Sequence, residues 1–371
     1  MLHKLNFRIN KKLFRYLSYD ILIVCSMLVV FGAMNIYSDT RKHSVIPYFK
    51  LQMSWLVICL ITVGIIILID YMVIANYAPL IYWASVILLI FNHFMGETVN
   101  GATGWISIGS RAIQPAEFAK IGLIIMLAKK LDDMEGKINN FKNFFILCFY
   151  AFIPMVLILI QPDMGMTMVC FFTVLGIVFI AGLDLRVIFG GLTGLLGLIV
   201  VIWNSPLMKP YWKGRLTAFV NPEAYSRDYS FQLKQSLIGI GSGGVTGLGY
   251  GNGSQYLFVP ESHTDFIFAV IGEEWGLMGA IFILLLYGYL IVRFIHISKK
   301  SKDIFGKIIC VGITSSFLFS IFQNMGMTIG LMPVTGITLP LLSYGGSSML
   351  TNFIGIGLIL NIGMRRKKIN F

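Results

Sequence analysis

Acidic residues are scarce in this sequence. Only 17 Asp and Glu stand among 371 residues, against 29 Lys and Arg, and charged residues together make up 12% of the chain while hydrophobic ones make up 57%. So little charge excludes a soluble globular domain, in which about 25% of residues are charged. Cys25, Cys59, Cys148, Cys170 and Cys310 all fall within apolar stretches with no C-x-x-C spacing, which excludes a disulfide framework and a cysteine metal site. No Walker A lysine is present. The run "GIGSGG", from Gly239 to Gly244, formally matches G-x-G-x-x-G, but it lacks the preceding strand and following helix start that a nucleotide site needs. It reads instead as a bent loop that packs closely or exposes its backbone N–H groups to a ligand.

What the sequence has in abundance is apolar runs of about 20 residues, the length that crosses a hydrocarbon core as a helix. Ten are expected, over residues 19–38, 50–69, 77–95, 113–131, 143–161, 164–182, 186–203, 265–293, 306–332 and 340–363. The fold class is therefore all-α: a polytopic membrane protein of about ten transmembrane helices, with a large extracytoplasmic loop between helices 7 and 8. The whole chain, 1–371, reads as one integral membrane domain, with a basic N-terminus at 1–18, the long loop at 204–264 and a basic C-terminus at 364–371. No cleavable signal peptide is expected, because the first apolar run lacks a small-residue cleavage site and further spans follow it.

A net charge of +12 raises the question of nucleic acid, and the placement of the basic residues answers it. Nineteen Lys and Arg fall in the connections on one side of the expected spans and nine on the other. By the positive-inside rule both termini are cytoplasmic, and the basic clusters set topology and touch anionic lipid. No nucleic-acid partner is expected.

The opposite, outer face then carries the connections 38–49, 96–112, 161–163, 204–264 and 331–340, and a segment as long as 204–264 is usually functional. Several of the few acids lie at or near this boundary: Glu117, Asp163, Glu261, Asp265, Glu273 and Glu274. Asp265 stands at the mouth of the eighth span, where it reads equally as a carboxylate complementing the helix dipole or as a functional group. In "QPAEFAKIGLIIMLAKK", residues 114–130, Glu117 and Lys120 are three residues apart and share one face of a helix. Each alone in hydrocarbon would cost several kcal/mol. Paired, they face a bundle interior or a wet cavity, either as a structural bridge or as part of a site. Gln114-Pro115 and Gln161-Pro162-Asp163 place two polar, proline-broken helix ends nearby, as where a membrane protein lines a cavity.

The stretches "GWISIGSRAIQPAEFAK", "QPDMGMT", "RLTAFVNPE", "FQLKQSLIGIGSGGVTGLGYG", "PESHTDFIFAVIGEEWGLMG" and "GLMPVTGITLPLLSYGGSSML" occur in this order. In them the chain resembles, over nearly its whole length, the SEDS family of shape, elongation, division and sporulation proteins, the RodA, FtsW and SpoVE group. The fifth and sixth stretches look most like the RodA branch. One departure is Thr103-Gly104 ahead of Trp105, where many relatives carry a basic residue.

The resemblance implies a peptidoglycan glycosyltransferase that polymerises lipid II into β-1,4-linked glycan strands during elongation and rod-shape maintenance. It implies a class B penicillin-binding protein as transpeptidase partner, together with the elongation machinery and membrane lipids. The family's essential aspartate corresponds to Asp265, its central acid and lysine to Glu117 and Lys120, and its "QPD" aspartate to Asp163. The chemistry agrees: inversion at an anomeric carbon in one displacement calls for a base, here Asp265. The departing pyrophosphate calls for cations, with Arg215, Arg111 and Lys120 as candidates. Trp105, Gln114 and His263, inside the same motifs, are counted with the cavity. A divalent cation, Mg²⁺ or Mn²⁺, held partly by Asp265 is compatible with this chemistry, and no nucleotide or organic cofactor is expected.

Two other classes compete. A lipid II flippase would also carry intramembrane charges and broken helices, but the acids gather at one face and no inverted repeat of the motifs is visible. A scaffold without catalysis leaves Asp265 and the glycine-rich loop unexplained. Division or sporulation branches of the same family remain alternatives to elongation.

Overall fold

A computed structural model describes residues 14–41, 46–99, 102–108, 111–205, 210–221 and 230–365. The chain runs through α1 (Tyr19–Thr40), α2 (Tyr48–Leu68), α3 (Tyr71–Asn76) and α4 (Ala78–Met95), then three strands, β1 (Glu97–Val99), β2 (Ala102–Ile108) and β3 (Arg111–Ile113). It continues through α5 (Pro115–Asp133), α6 (Phe141–Ile160), α7 (Met164–Ile180), α8 (Leu185–Trp203), α9 (Pro210–Val220) and α10 (Phe231–Gly243). The last helices are α11 (Ile267–Lys299), α12 (Ile304–Thr328) and α13 (Gly346–Arg365). Each of the ten expected spans contains a helix. Eight of them, α1, α2, α4, α6, α8, α11, α12 and α13, are long and apolar enough to cross a membrane. The other two are α7, of 17 residues, and α5, of 19, which carries Glu117 and Lys120.

Several of the scarce acids start helices. Asp70, Asp163, Asp184 and Asp303 each accept a backbone N–H in the first turn of α3, α7, α8 and α12, and each such cap is worth about 1 kcal/mol. Burial then sorts the helices. From Pro115 to Ala128 nearly every residue of α5 is buried, as are most residues of α12 and α13, whereas α8 has none. The centre is therefore α5, α12 and α13. Small residues let these backbones approach, with Gly312 of α12 facing Ile124 of α5 and Gly355 of α13 facing Ile313 of α12.

Three local features depart from the purely helical reading. Strands β1, β2 and β3 pair as an antiparallel meander, with Glu97 opposite Trp105 and Ile106 opposite Ile113. The span expected from residue 113 starts at Pro115, because proline has no N–H to leave unpaired in a first turn and holds the residue before it extended, as at Gln114. The spans expected to end at 332 and to start at 340 instead leave residues 329–345 non-helical, since Gly330 and Gly336 take positive φ and Pro333 and Pro340 interrupt the ladder.

The third feature explains the glycine-rich stretch. Helix α11 breaks at Gly276, whose φ of 60° and ψ of −155° suit glycine alone. The groups freed by the break are satisfied by the turn after α10: Leu248 N and Gly249 N donate to the carbonyls of Glu273 and Glu274, and Leu277 N and Met278 N donate to those of Gly244 and Val245. A Cβ at Gly247 would stand 2.1 Å from Glu274 O. The run from Gly239 to Gly244 is therefore not the bent loop its sequence suggested: Gly239–Gly243 are the last residues of α10, and only from Gly244, at φ 54°, does the chain turn. The close packing is there, since a Cβ at Gly243 would be 2.0 Å from Gly272 O, and the turn that follows is the packing partner of the broken helix. The Glu273 carboxylate, fully buried, accepts the N–H groups of Ser254, Gln255 and Tyr256. Glu274 accepts from Ser38, Tyr256 and Gly251 N, so both acids organise this loop.

Candidate active site

The "QPAEFAK" and "QPD" helix starts meet because α5 and α7 both begin at the same end of the bundle, where 333–340 folds over them. Together they enclose a cavity of about 1380 Å³. One end is polar and carries Trp105, Gln114, Glu117, Lys120, Asp163, Glu261, Asp265, Ser348 and Asn352. The remainder is walled by apolar side chains of α6, α7 and α8. Along α6 the lining runs from Phe144 to Leu159, about 23 Å at 1.5 Å per residue.

At the polar end Lys120 Nζ lies 2.6 Å from Glu117 Oε2, with both side chains 5% exposed. Thr351 Oγ1 on α13 donates to the same oxygen at 2.7 Å. Gln114 Nε2 donates to Asp163 Oδ2 at 3.0 Å, while the other Asp163 oxygen caps α7 through Met166 N at 2.9 Å. Gln114 N is tied to Ser347 Oγ at the start of α13. The expected group Glu117, Lys120, Gln114 and Asp163 is therefore one assembly.

Asp265 reaches the same cavity from a different direction. The N-cap position of α11 belongs to Phe266, so Asp265 stands one residue outside the helix, at the end of a turn in which its N–H donates to Glu261 O at 3.0 Å. A Cβ placed on Gly336 would be 3.4 Å from Asp265 Oδ2, which sets the carboxylate against the backbone of the 333–340 segment.

Other expected residues fall elsewhere. His263 does not line the cavity. Its ring packs tilted against Tyr48, with centroids 4.6 Å apart and planes at 43°, and Tyr344 N, from a residue that does line the cavity, donates to its carbonyl at 2.9 Å. The adjacent Ser262 hydroxyl binds Asp39, whereas His263 Nδ1 is 4.0 Å from that carboxylate. Burial pushes the His263 imidazole below its usual pKa against the opposing field of Glu261, so the ring is neutral at pH 7 and makes no ion pair. Arg111 lies on β3 and Arg215 on α9, and their side chains are outside the described residues.

Thr351, Ser348 and Asn352 were not singled out from the sequence. Their spacing in "SMLTN" puts three polar side chains on one face of an apolar helix, a signal of interior or cavity placement that was there to be read. Among the described residues no group of three or more His, Cys, Asp or Glu is placed to hold a metal.

These features define a class: a multi-pass membrane protein with a cavity charged at one end and apolar along its length. The chain belongs to the FtsW/RodA/SpoVE family of cell cycle proteins, which matches it over residues 12–368. It is 34% identical to stage V sporulation protein E of Bacillus subtilis, covering 92% of this chain and 94% of that one. It is 31% identical to the peptidoglycan glycosyltransferase RodA of Treponema pallidum, covering 94% and 98%. Its fold is similar to a chain in the solved structure described as structural coordination of polymerization and crosslinking by a peptidoglycan synthase complex, with a TM-score of 0.83, 29% identity and coverage of 95% and 99%.

Proposed function

We propose that this family member is a peptidoglycan glycosyltransferase that polymerises lipid II, with Asp265 as its base. One observation carries the reading: the cavity joins a charged end to an apolar wall about four turns of α6 long. An amphiphile with a diphosphate-sugar head and a long isoprenoid tail needs both. The 4-hydroxyl of one lipid-linked disaccharide attacks the anomeric carbon of another from the face opposite the diphosphate. The new C–O bond forms as the C–O bond to diphosphate breaks, the α-linkage becomes β, and the hydroxyl proton passes to the Asp265 carboxylate. The diphosphate leaves on its lipid. Lys120 lines the same cavity and is the positive group assigned to the leaving diphosphate, with its partner Glu117 holding it in place.

A divalent cation, Mg²⁺ or Mn²⁺, would be held by Asp265 together with diphosphate oxygens, and when bound it would offset the charge on the leaving group. The residues described offer one carboxylate at that point, with Glu261 next in the turn. The active site is assigned to the extracytoplasmic face and both termini to the cytoplasm, on the nineteen-to-nine division of basic residues. A class B penicillin-binding protein as crosslinking partner is supported by the likeness to a synthase complex. Service in elongation is supported by "PESHTDFIFAVIGEEWG" and by the RodA relative, although sporulation proteins are similar too.

A flippase would need polar groups through the depth of its path. Here the cavity beyond Glu117 and Lys120 is apolar, which favours holding a tail over moving a headgroup. The test is to give lipid II to the purified chain, alone and with its transpeptidase, and to resolve glycan polymer. Transfer of lipid II between leaflets without any polymer would favour the flippase.

A further inference from the structure

Asn324 lies on α12, one turn before its end, and is fully buried outside the cavity wall. Its amide nitrogen donates to two backbone carbonyls, Asp265 O at 2.7 Å and Ile337 O at 2.7 Å. Both acceptors belong to residues that line the cavity. The orientation of the amide is forced, because a flipped side chain would set its oxygen against two carbonyl oxygens. An aspartate here would repel both carbonyls, and a leucine would take this donor from both.

The consequence for Asp265 is specific. Its N–H is fixed within its own turn by Glu261 O, and its carbonyl is fixed by Asn324 to a different helix. The same amide holds Ile337, next to Gly336, whose Cβ position is 3.4 Å from Asp265 Oδ2. One side chain thus sets the distance between the carboxylate and the segment facing it. Gln323, its neighbour, makes a comparable bond to Pro333 O at 2.9 Å without touching Asp265.

We propose that Asn324 is a positioning residue for Asp265, locking the turn that carries the carboxylate to Ile337, next to the Gly336 backbone that faces it, so that the base is held in register with the attacking hydroxyl. This rests on the reading of Asp265 as the base. A misplacement of 1 Å at a reacting group costs about a hundredfold in rate, and that is the size of loss expected.

The experiment measures kcat and KM for lipid II polymerisation, with melting temperature, on the full chain reconstituted with its transpeptidase. Variants are Asn324→Leu, Asn324→Ser and Gln323→Leu. Asn324→Leu should lose about a hundredfold in kcat with KM within about threefold. Asn324→Ser, which keeps one donor, should recover part of the loss. Gln323→Leu removes a bond of the same kind from the same helix, so it should lower the melting temperature similarly while kcat falls far less. Turnover by Asn324→Leu within about threefold of wild type, or equal kcat loss in Gln323→Leu at matched stability, overturns the proposal. Should Asn324→Leu fail to fold, Asn324→Ser decides: wild-type kcat in that variant overturns it, and reduced kcat at unchanged KM supports it. No polymer from the wild-type chain itself would instead sink the glycosyltransferase reading, and this inference with it.

Discussion

Lys120 on α5 and Thr351 on α13 donate to one and the same oxygen of Glu117, at 2.6 and 2.7 Å. The ion pair expected from the spacing therefore also bridges two of the most buried helices. Breaking a buried pair by removing one partner costs about 3–5 kcal/mol, because the survivor is left as an uncompensated charge.

Glu117→Ala and Lys120→Ala should each lower the melting temperature in detergent. The double replacement Glu117→Gln with Lys120→Met, of similar volume and no charge, should lower it less than either single change. Additive losses in the double variant would mean that the two residues do not act as a pair.

The break in α11 makes a sharper forecast, since Gly276 has φ 60° and its Cβ position is 2.5 Å from Gly247 N. Gly276→Ala should fail to accumulate as folded protein or melt far lower. Gly194→Ala on α8, where nothing lies within 4 Å, should be tolerated and gain up to about 1 kcal/mol of helix propensity. Equal tolerance of both changes, read by fluorescence-detected size exclusion, would contradict the backbone-to-backbone closure.

Ten helical stretches were legible because each is an apolar run of spanning length, and the Glu117–Lys120 contact was legible because a helix puts i and i+3 together. The β1-β2-β3 meander and the break at 329–345 were not, since hydropathy averages over short strands and over turns such as those at Gly330 and Gly336. Asp163 shows the same limit within the site: the sequence marked the residue, but only the fold shows one oxygen spent on capping α7 and the other bound to Gln114. His263 was counted with the cavity because it stands in the same motif as Asp265, and the turn that begins at Glu261, with φ 57°, carries it off the cavity wall instead. Asn324 was missed because a lone buried asparagine on an apolar helix gives no sign of which carbonyls it will meet.

His263 gives a pH dependence whose sign follows from its burial. In the unfolded chain it takes up a proton near pH 6.5, whereas the folded chain holds it neutral to lower pH. The unfolded state then binds more protons, so this contribution is complete above pH 6.5 and is lost as pH falls towards the folded pKa. Melting temperatures followed from pH 7.5 down to 5.5 should drop less steeply in His263→Phe than in wild type. Parallel curves would assign the acid sensitivity to other groups.

Sidedness is tested at two positions in a cysteine-free background. Ser254→Cys, exposed just ahead of the short 3₁₀ helix Tyr256–Phe258, should react with an impermeant maleimide on intact cells. Lys302→Cys, exposed between α11 and α12, should react only after lysis. The opposite pattern would put the charged end of the cavity in the cytoplasm.

The most direct test of the central claim is polymerisation of lipid II by Asp265→Asn beside wild type, each purified with its transpeptidase and matched for melting temperature. Loss of a positioned base predicts a fall of about 10²–10⁴-fold in glycan polymer formed per minute, with lipid II binding retained. Polymer at near the wild-type rate from Asp265→Asn would contradict the account.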